Sequence, residues 1–208
     1  MSVWMWYCVK MAMNDSFEAD LRKFVSPEFI FGKGALNLAG IYATNLGANK
    51  VLVVSDPGVI AAGWTGRVIK SLEDSGLSYA LYSDVTSNPR AEEVMAGAGV
   101  YERKSCDVIV AVGGGSPMDC AKGIGIVSTN SGNILEFEGV DKIPVPGPPL
   151  ICIPTTGGTS ADVSQFAIIT DLTRKVKISI ISKMVVPDIA LVDPVPTTTM
   201  SPHLTAAN

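Results

Sequence analysis

The stretch from Asp107 to Asn130 narrows the fold of this chain more than any other. Val108–Val112 is a short β-branched run closed by three glycines, and it reads as a buried strand. Ser116 then offers a hydroxyl N-cap. Pro117 sits at the first helical position, where its missing N–H costs nothing, and Asp119 completes a capping box. The small apolar run from Met118 to Val127 is the helix that follows. Gly113–Gly115 are therefore a tight turn between a strand and a helix N-terminus. Such a turn brings backbone N–H groups close to a ligand at the positive end of a helix dipole, which suits a phosphate. It is not the G-x-G-x-x-G fingerprint, because Met118 stands where the third glycine belongs, and it is not a P-loop, because Lys122 lies beyond the turn. Taken alone, it serves equally as a phosphate cradle or as a crossover turn whose glycines only permit tightness.

The chain around it alternates strands and helices. Glu28–Phe31 reads as a strand, Gly34–Leu46 as a helix stopped by Gly47, and Lys50–Val54 as a second strand. Asp56-Pro57-Gly58 turns into a helix from Val59 to Asp74, closed by Gly76. Ser78–Tyr82 is the next strand, and Asn88-Pro89 leads into a helix ending near Lys104. This alternation predicts βαβ units, an open and mostly parallel sheet, and helices on both faces. Beyond Asn130 the texture changes. A single helical turn is expected at Ile134–Phe137, and a strand at Leu150–Ile153 runs into Thr155-Thr156-Gly157-Gly158-Thr159-Ser160. There Thr159 and Asp162 have the spacing of a second capping box. Phe166–Ile169, Val176–Ile181 and Ile189–Val192 alternate as β, with a turn near Asp171–Arg174.

Composition excludes several classes. With 47% apolar residues among 208 and a mean hydropathy of +0.32, the chain has material for a core and is not disordered. A net charge of −4 and a pI near 5.0 leave no electrostatic footprint for nucleic acid or an anionic membrane. No unbroken apolar run is long enough to span a bilayer. Cys8, Cys106, Cys120 and Cys152 contain no C-x-x-C pair and suit reduced thiols in a cytoplasmic protein. Cys120 is either a reactive thiol or, more simply, packing. Met1–Asp15, with Trp4, Trp6, Tyr7 and four methionines, lacks the basic and apolar regions of a signal peptide and reads as a poorly ordered leader.

Two glycine- and threonine-rich loops, each directly after an apolar strand, favour the cradle reading. In an open parallel sheet both loops lie at the carboxyl edge, where ligands bind. One offers backbone N–H groups and the other offers hydroxyls, so together they can hold a diphosphate from two sides. Asp56, also at a strand end, suits a ribose diol, or else serves as a turn-forming aspartate before Pro57.

These motifs resemble a known family. Gly-Gly-Gly-Ser-Pro-Met-Asp-Cys-Ala-Lys at 113–122 and Ile-Pro-Thr-Thr-Gly-Gly-Thr-Ser-Ala-Asp-Val at 153–163 resemble the iron-containing (group III) alcohol dehydrogenases. Phe31-Gly32-Lys33-Gly34-Ala35, Ser55-Asp56, Asn88-Pro89 and Pro187–Pro194 support it, in the family's order and spacing across Phe24–Ala207. The resemblance implies a Rossmann-like α/β domain over residues 21–195, after a leader at 1–20. Residues 196–208 would be a linker and the start of the family's all-helical metal domain, otherwise absent from this sequence. It implies that Gly113, Gly114, Gly115 and Ser116 cradle the NAD diphosphate, with Thr155, Thr156 and Thr159 flanking it. Asp56 would bind the adenosine ribose and disfavour NADP, and Asn88 and Lys177 would lie near the nucleotide. Bland alternatives remain for the last two, a turn residue and a solvated lysine.

Two departures stand out. Asp162 replaces a glutamate usual in the family, and the sequence ends at Asn208 before the segment in which the family carries an aspartate and three histidines that hold iron or zinc. His203, the one histidine, cannot form a metal site alone. No catalytic or metal-binding residue is therefore assigned. The expected function is the NAD-binding domain of an oxidoreductase exchanging hydride between NAD and a primary alcohol or aldehyde, inactive by itself. The alternative is a non-catalytic NAD-binding regulator or sensor. A glycerol dehydrogenase or dehydroquinate synthase relationship fits the Ser116-Pro117 and Thr155–Thr159 details less well. Without the helical domain, an exposed apolar face is expected to drive aggregation or a homodimer.

Overall fold

Alternate residues of the central strands feed two separate cores, which is why these strands read as continuous apolar runs. The computed structural model of the chain describes residues 25–201 and residue 205; the leader, Cys8 and His203 lie outside the described residues. The strands are β1 (Glu28–Phe31), β2 (Lys50–Val54), β3 (Ser78–Tyr82), β4 (Val108–Gly113), β5 (Gly139–Val140), β6 (Leu150–Pro154), β7 (Phe166–Asp171), β8 (Val176–Ile181) and β9 (Ile189–Val192). The helices are α1 (Ala39–Asn45), α2 (Pro57–Ala61), α3 (Trp64–Asp74), α4 (Ala91–Arg103) and α5 (Gly115–Thr129). Six strands form one sheet in the order β1-β9-β6-β4-β2-β3, every neighbouring pair parallel.

Val51, Val53, Val108 and Val110 point to one face, where they pack with Leu36, Val68 and Leu72. Leu52, Val54, Ile109 and Ala111 point to the other and pack with Val94, Ala98, Met118 and Ile124. Helices α1 and α3 thus cover one face and α4 and α5 the other, as a parallel sheet buried on both sides requires. Among the described residues no helix is long and apolar enough to cross a membrane.

The strand order creates the place for a site. From β2 the chain moves outward to β3, then returns to lay β4 on the other side of β2 and continues to β6. The loops after β2 and β4 therefore leave neighbouring strands in opposite directions. A crevice at the carboxyl edge opens at such a switch point.

Four local expectations are corrected. Ser116 does not cap α5: the N-cap is Gly114, and the helix begins at Gly115. Asp119 accordingly closes no capping box. The helix expected from Val59 to Asp74 is two helices, broken where Gly63 adopts φ 84°. No helix follows Thr159, whose hydroxyl meets only the Ala161 N–H at 3.5 Å, so that second capping box is a turn. The β-rich remainder also divides. β9 joins the main sheet, whereas β7 and β8 pair antiparallel in a three-stranded sheet with β5.

Candidate functional site

At the end of β4 the backbone turns at Gly113 with φ 153°. A Cβ there would lie 2.6 Å from Pro117 Cγ and 3.3 Å from Asp56 Oδ2, so the position has no room for a side chain. The chain leaving β6 is stitched to the same turn, the Thr155 N–H donating to the Gly113 carbonyl at 2.9 Å. It then folds over the glycines. A Cβ on Gly114 would stand 3.1 Å from Thr156 Oγ1, and one on Gly115 would stand 3.1 Å from Thr159 Cγ2. The two loops touch because the turn carries no side chains.

Just beyond the neighbouring strand β2, Asp56 caps α2, its Oδ1 accepting from the Val59 N–H at 3.0 Å. Between Asp56, the turn and the threonine loop lies an open cavity of about 560 Å³. Its wall includes Asp56, Gly114, Gly115 and Ser116 on one side and Thr155, Thr156 and Thr159 on the other. Seven of the ten residues expected from the sequence thus line one space.

The other three lie behind or beside it. Gly113 is buried beneath the wall. Asn88 and Lys177 are connected to the wall through Ser116. The Asn88 N–H donates to Ser116 Oγ at 3.1 Å, and Lys177 Nζ donates to Asn88 Oδ1 at 2.6 Å. Thr170 Oγ1 donates to the Asn88 carbonyl at 3.2 Å, and Asn88 itself has φ 59°. A left-handed asparagine is the usual exception among non-glycine residues.

The structure adds wall residues that no motif signalled. Trp64, at the start of α3, lines the cavity together with Thr199, Met200 and Ser201. Its indole Nε1 donates to Thr199 Oγ1 at 2.9 Å, and the Arg67 guanidinium stands 5.3 Å from its ring centre. This pairs residues 135 apart in sequence and is invisible to local pattern.

The domain that carries this cavity, at the switch point of a parallel sheet with a glycine turn opening a helix, matches known proteins over most of its length. The pattern described as "Iron-containing alcohol dehydrogenase" matches residues 26–194. This chain belongs to the iron-containing alcohol dehydrogenase family. It is 42% identical over 185 residues to alcohol dehydrogenase 4 of Schizosaccharomyces pombe, covering 88% of this chain and 44% of that relative. The crystal structure of a 1,3-propanediol oxidoreductase superposes with a TM-score of 0.87 at 34% identity, over 90% of this chain and 49% of that one. The sulfoacetaldehyde reductase of Bifidobacterium kashiwanohense, solved in complex with NAD+, superposes with a TM-score of 0.83 at 30% identity, over 90% and 50% of the two chains. The chain thus spans about half the length of the relatives it matches.

Two ionisable groups in this iron-containing alcohol dehydrogenase homologue lie behind the cavity, on α5. Burial pushes the Asp119 carboxyl up to about 6, against the opposing pull of the Lys122 ammonium and the Ile168 N–H. Burial likewise lowers the Lys122 ammonium, partly offset by Cys152, Asp119 and Asp162. The Asp162 carboxyl is itself raised by burial. Among the described residues no three His, Cys, Asp or Glu side chains gather where a metal ion could sit. The described residues therefore do not fit the iron that the family's name implies, and no step is assigned to it. The three described cysteines, Cys106, Cys120 and Cys152, are buried and free. Burial pushes the Cys152 thiol up to about 12, and the Cys120 thiol is raised for the same reason. Cys120 is fully buried in the core that holds Val94 and Ile124, out of reach of a reactant, and serves as packing.

Proposed function

We propose that this chain binds NAD in the cavity between the glycine turn and the threonine loop, as the nucleotide-binding part of an oxidoreductase acting on a primary alcohol or aldehyde. The observation that carries the reading is the close apposition of Gly114 with Thr156 and of Gly115 with Thr159 at the start of a 15-residue helix. A Cβ at either glycine would fill the space that a diphosphate needs. Backbone N–H groups and the helix dipole favour an anion there, and the threonine hydroxyls supply donors from the opposite side.

In this reading Gly113–Ser116 and the first turn of α5 hold the diphosphate, with Thr155, Thr156 and Thr159 across from them. Asp56 keeps one oxygen on the α2 N-terminus and offers the other to the ribose hydroxyls. Its charge repels a 2′-phosphate, which favours NAD over NADP. Asn88 positions Ser116 and holds the Lys177 ammonium at the outer edge of the same site. A bound NAD supplies a hydride acceptor for alcohol oxidation, or a donor in the reverse direction. The chain's own residues contribute binding, orientation and cofactor choice.

Calorimetric titration of the 208-residue chain with NAD and with NADP, in metal-free buffer, tests this. Binding of NAD with clear preference over NADP is expected. A folded chain that binds neither would overturn the reading.

A further inference from the structure

Helix α5 is apolar and made largely of small residues, yet it buries a lysine. Lys122 is only 2% exposed. All three donors of its ammonium find oxygens on one distant segment. They are the Ser164 carbonyl at 2.9 Å, Ser164 Oγ at 3.2 Å and the Phe166 carbonyl at 2.8 Å. One turn earlier on the same helix, the Asp119 carboxyl is half-buried, and the nearby Ile168 backbone N–H favours its charged form. Lys122 thus grips the chain where it emerges from the threonine loop and enters β7.

The loop from Thr155 to Gln165 has no helix or strand of its own. At its start the Thr155 N–H holds it to the Gly113 carbonyl. Its middle lies against Gly114 and Gly115 through Thr156 and Thr159. Its far end is held by the Lys122 ammonium and by the Ser182 N–H, which donates to the Gln165 carbonyl at 3.0 Å. Even with every donor satisfied, burying an ammonium carries a desolvation cost that an apolar residue of similar size would avoid. That cost is explained if the lysine's task is to hold this loop against the helix that starts at the turn.

We propose that Lys122 is a positioning residue for the nucleotide site. By anchoring Ser164 and Phe166 to α5, it holds the threonine loop at the distance from the glycine turn that a diphosphate requires. The inference rests on the NAD reading above and adds to it a residue that does not line the cavity. Sites of this kind lose affinity when their supporting shell loosens by about an ångström.

The test compares the full chain with its Lys122→Met, Ser164→Ala and Val68→Ala variants, each at a temperature where circular dichroism shows it folded. Val68 is a buried residue of the opposite core and serves as a stability control. NAD affinity by calorimetry is read beside amide hydrogen exchange across residues 157–165. Lys122→Met is expected to weaken NAD binding by about tenfold and to speed exchange in that segment. Val68→Ala is expected to lower the melting temperature with affinity unchanged. If Lys122→Met melts earlier but binds NAD like the wild type, Lys122 is only a stabilising residue and the proposal fails. If that variant does not fold, Ser164→Ala, which removes one of the three acceptors, decides. A two- to threefold loss of affinity supports the proposal, and wild-type affinity overturns it. A wild-type chain that binds no NAD sinks the NAD reading instead, and the role of Lys122 at a nucleotide site falls with it. Wild-type binding with an unaffected Lys122→Met variant sinks only the positioning role.

Discussion

Lys177 and Asn88, 89 residues apart in sequence, are joined by a 2.6 Å hydrogen bond from Nζ to Oδ1. Asn88 in turn reaches Ser116 through its own N–H, so an exposed lysine of β8 is tied to the first turn of α5. Replacing Asn88 by alanine removes the acceptor and leaves a Cβ residue at φ 59° without a compensating side chain. Chemical denaturation of Asn88→Ala is expected to show a loss of about 1–2 kcal/mol. Lys177→Ala is expected to stay within about 0.5 kcal/mol of wild type in the same experiment. In calorimetry both variants should bind NAD more weakly. Wild-type affinity in both would remove this pair from the site.

Gly113 is the position where the turn tolerates least. An added methyl would meet the Pro117 ring at 2.6 Å, and the φ of 153° adds backbone strain. The proline cannot swing aside as a flexible side chain could. Gly113→Ala is expected to cost about 2–3 kcal/mol in urea unfolding and to abolish detectable NAD binding. A variant with unchanged midpoint would show that the turn relaxes more easily than its geometry implies.

Asp56 has two tasks that can be separated. Its Oδ1 caps α2, and its charge faces the cavity. Serine is an equally good N-cap without the charge. Asp56→Ser should therefore keep stability within about 0.5 kcal/mol of wild type. It should also narrow the NAD-over-NADP preference by about tenfold in paired titrations. Asp56→Ala should add a loss of about 1 kcal/mol for the missing cap. An unchanged cofactor ratio in Asp56→Ser would show that the charge does not select the cofactor.

Asp119 predicts a pH dependence with a defined sign. Its carboxyl is raised by burial to about 6, so the folded chain binds this proton more tightly than the unfolded chain does. The stability it contributes is fully present below about pH 4 and is lost as pH rises through about pH 6. Relative to Asp119→Asn, wild-type stability should therefore fall by at most about 3 kcal/mol between about pH 4 and pH 7. Denaturation midpoints of the two proteins across that range give the comparison. Parallel curves would place the Asp119 titration outside it.

The elements themselves were largely legible because their signals are local. The β-branched runs at Val51–Val54 and Val108–Val112 are strands, and the capped turn at Ile134–Phe137 is a single helical turn, its Asn133 and Glu136 exchanging cap hydrogen bonds. The start of α5 departs from its local signal: Ser116 and Asp119 have capping spacing, yet the helix begins at Gly115 and Ser116 Oγ accepts from the Asn88 N–H instead. Gly40 carried no signal at all. It brings α1 so near α3 that a Cβ would lie 2.1 Å from the Ser71 carbonyl, a requirement set by the neighbouring helix.

The residue order of this chain determined by itself where most strands and helices lie, that they alternate into a parallel sheet, and that a side-chain-free turn precedes a helix. Those features follow from β-branching, apolar spacing and glycine, which act over a few residues. Only the tertiary structure decided that the threonine loop lies on the glycine turn, that Asn88 bridges Ser116 to Lys177, and that Lys122 finds its acceptors 42 and 44 residues further along the chain. A buried ammonium must be satisfied by whatever oxygens the packed interior brings to it, and strand order, which no local pattern specifies, determines which those are.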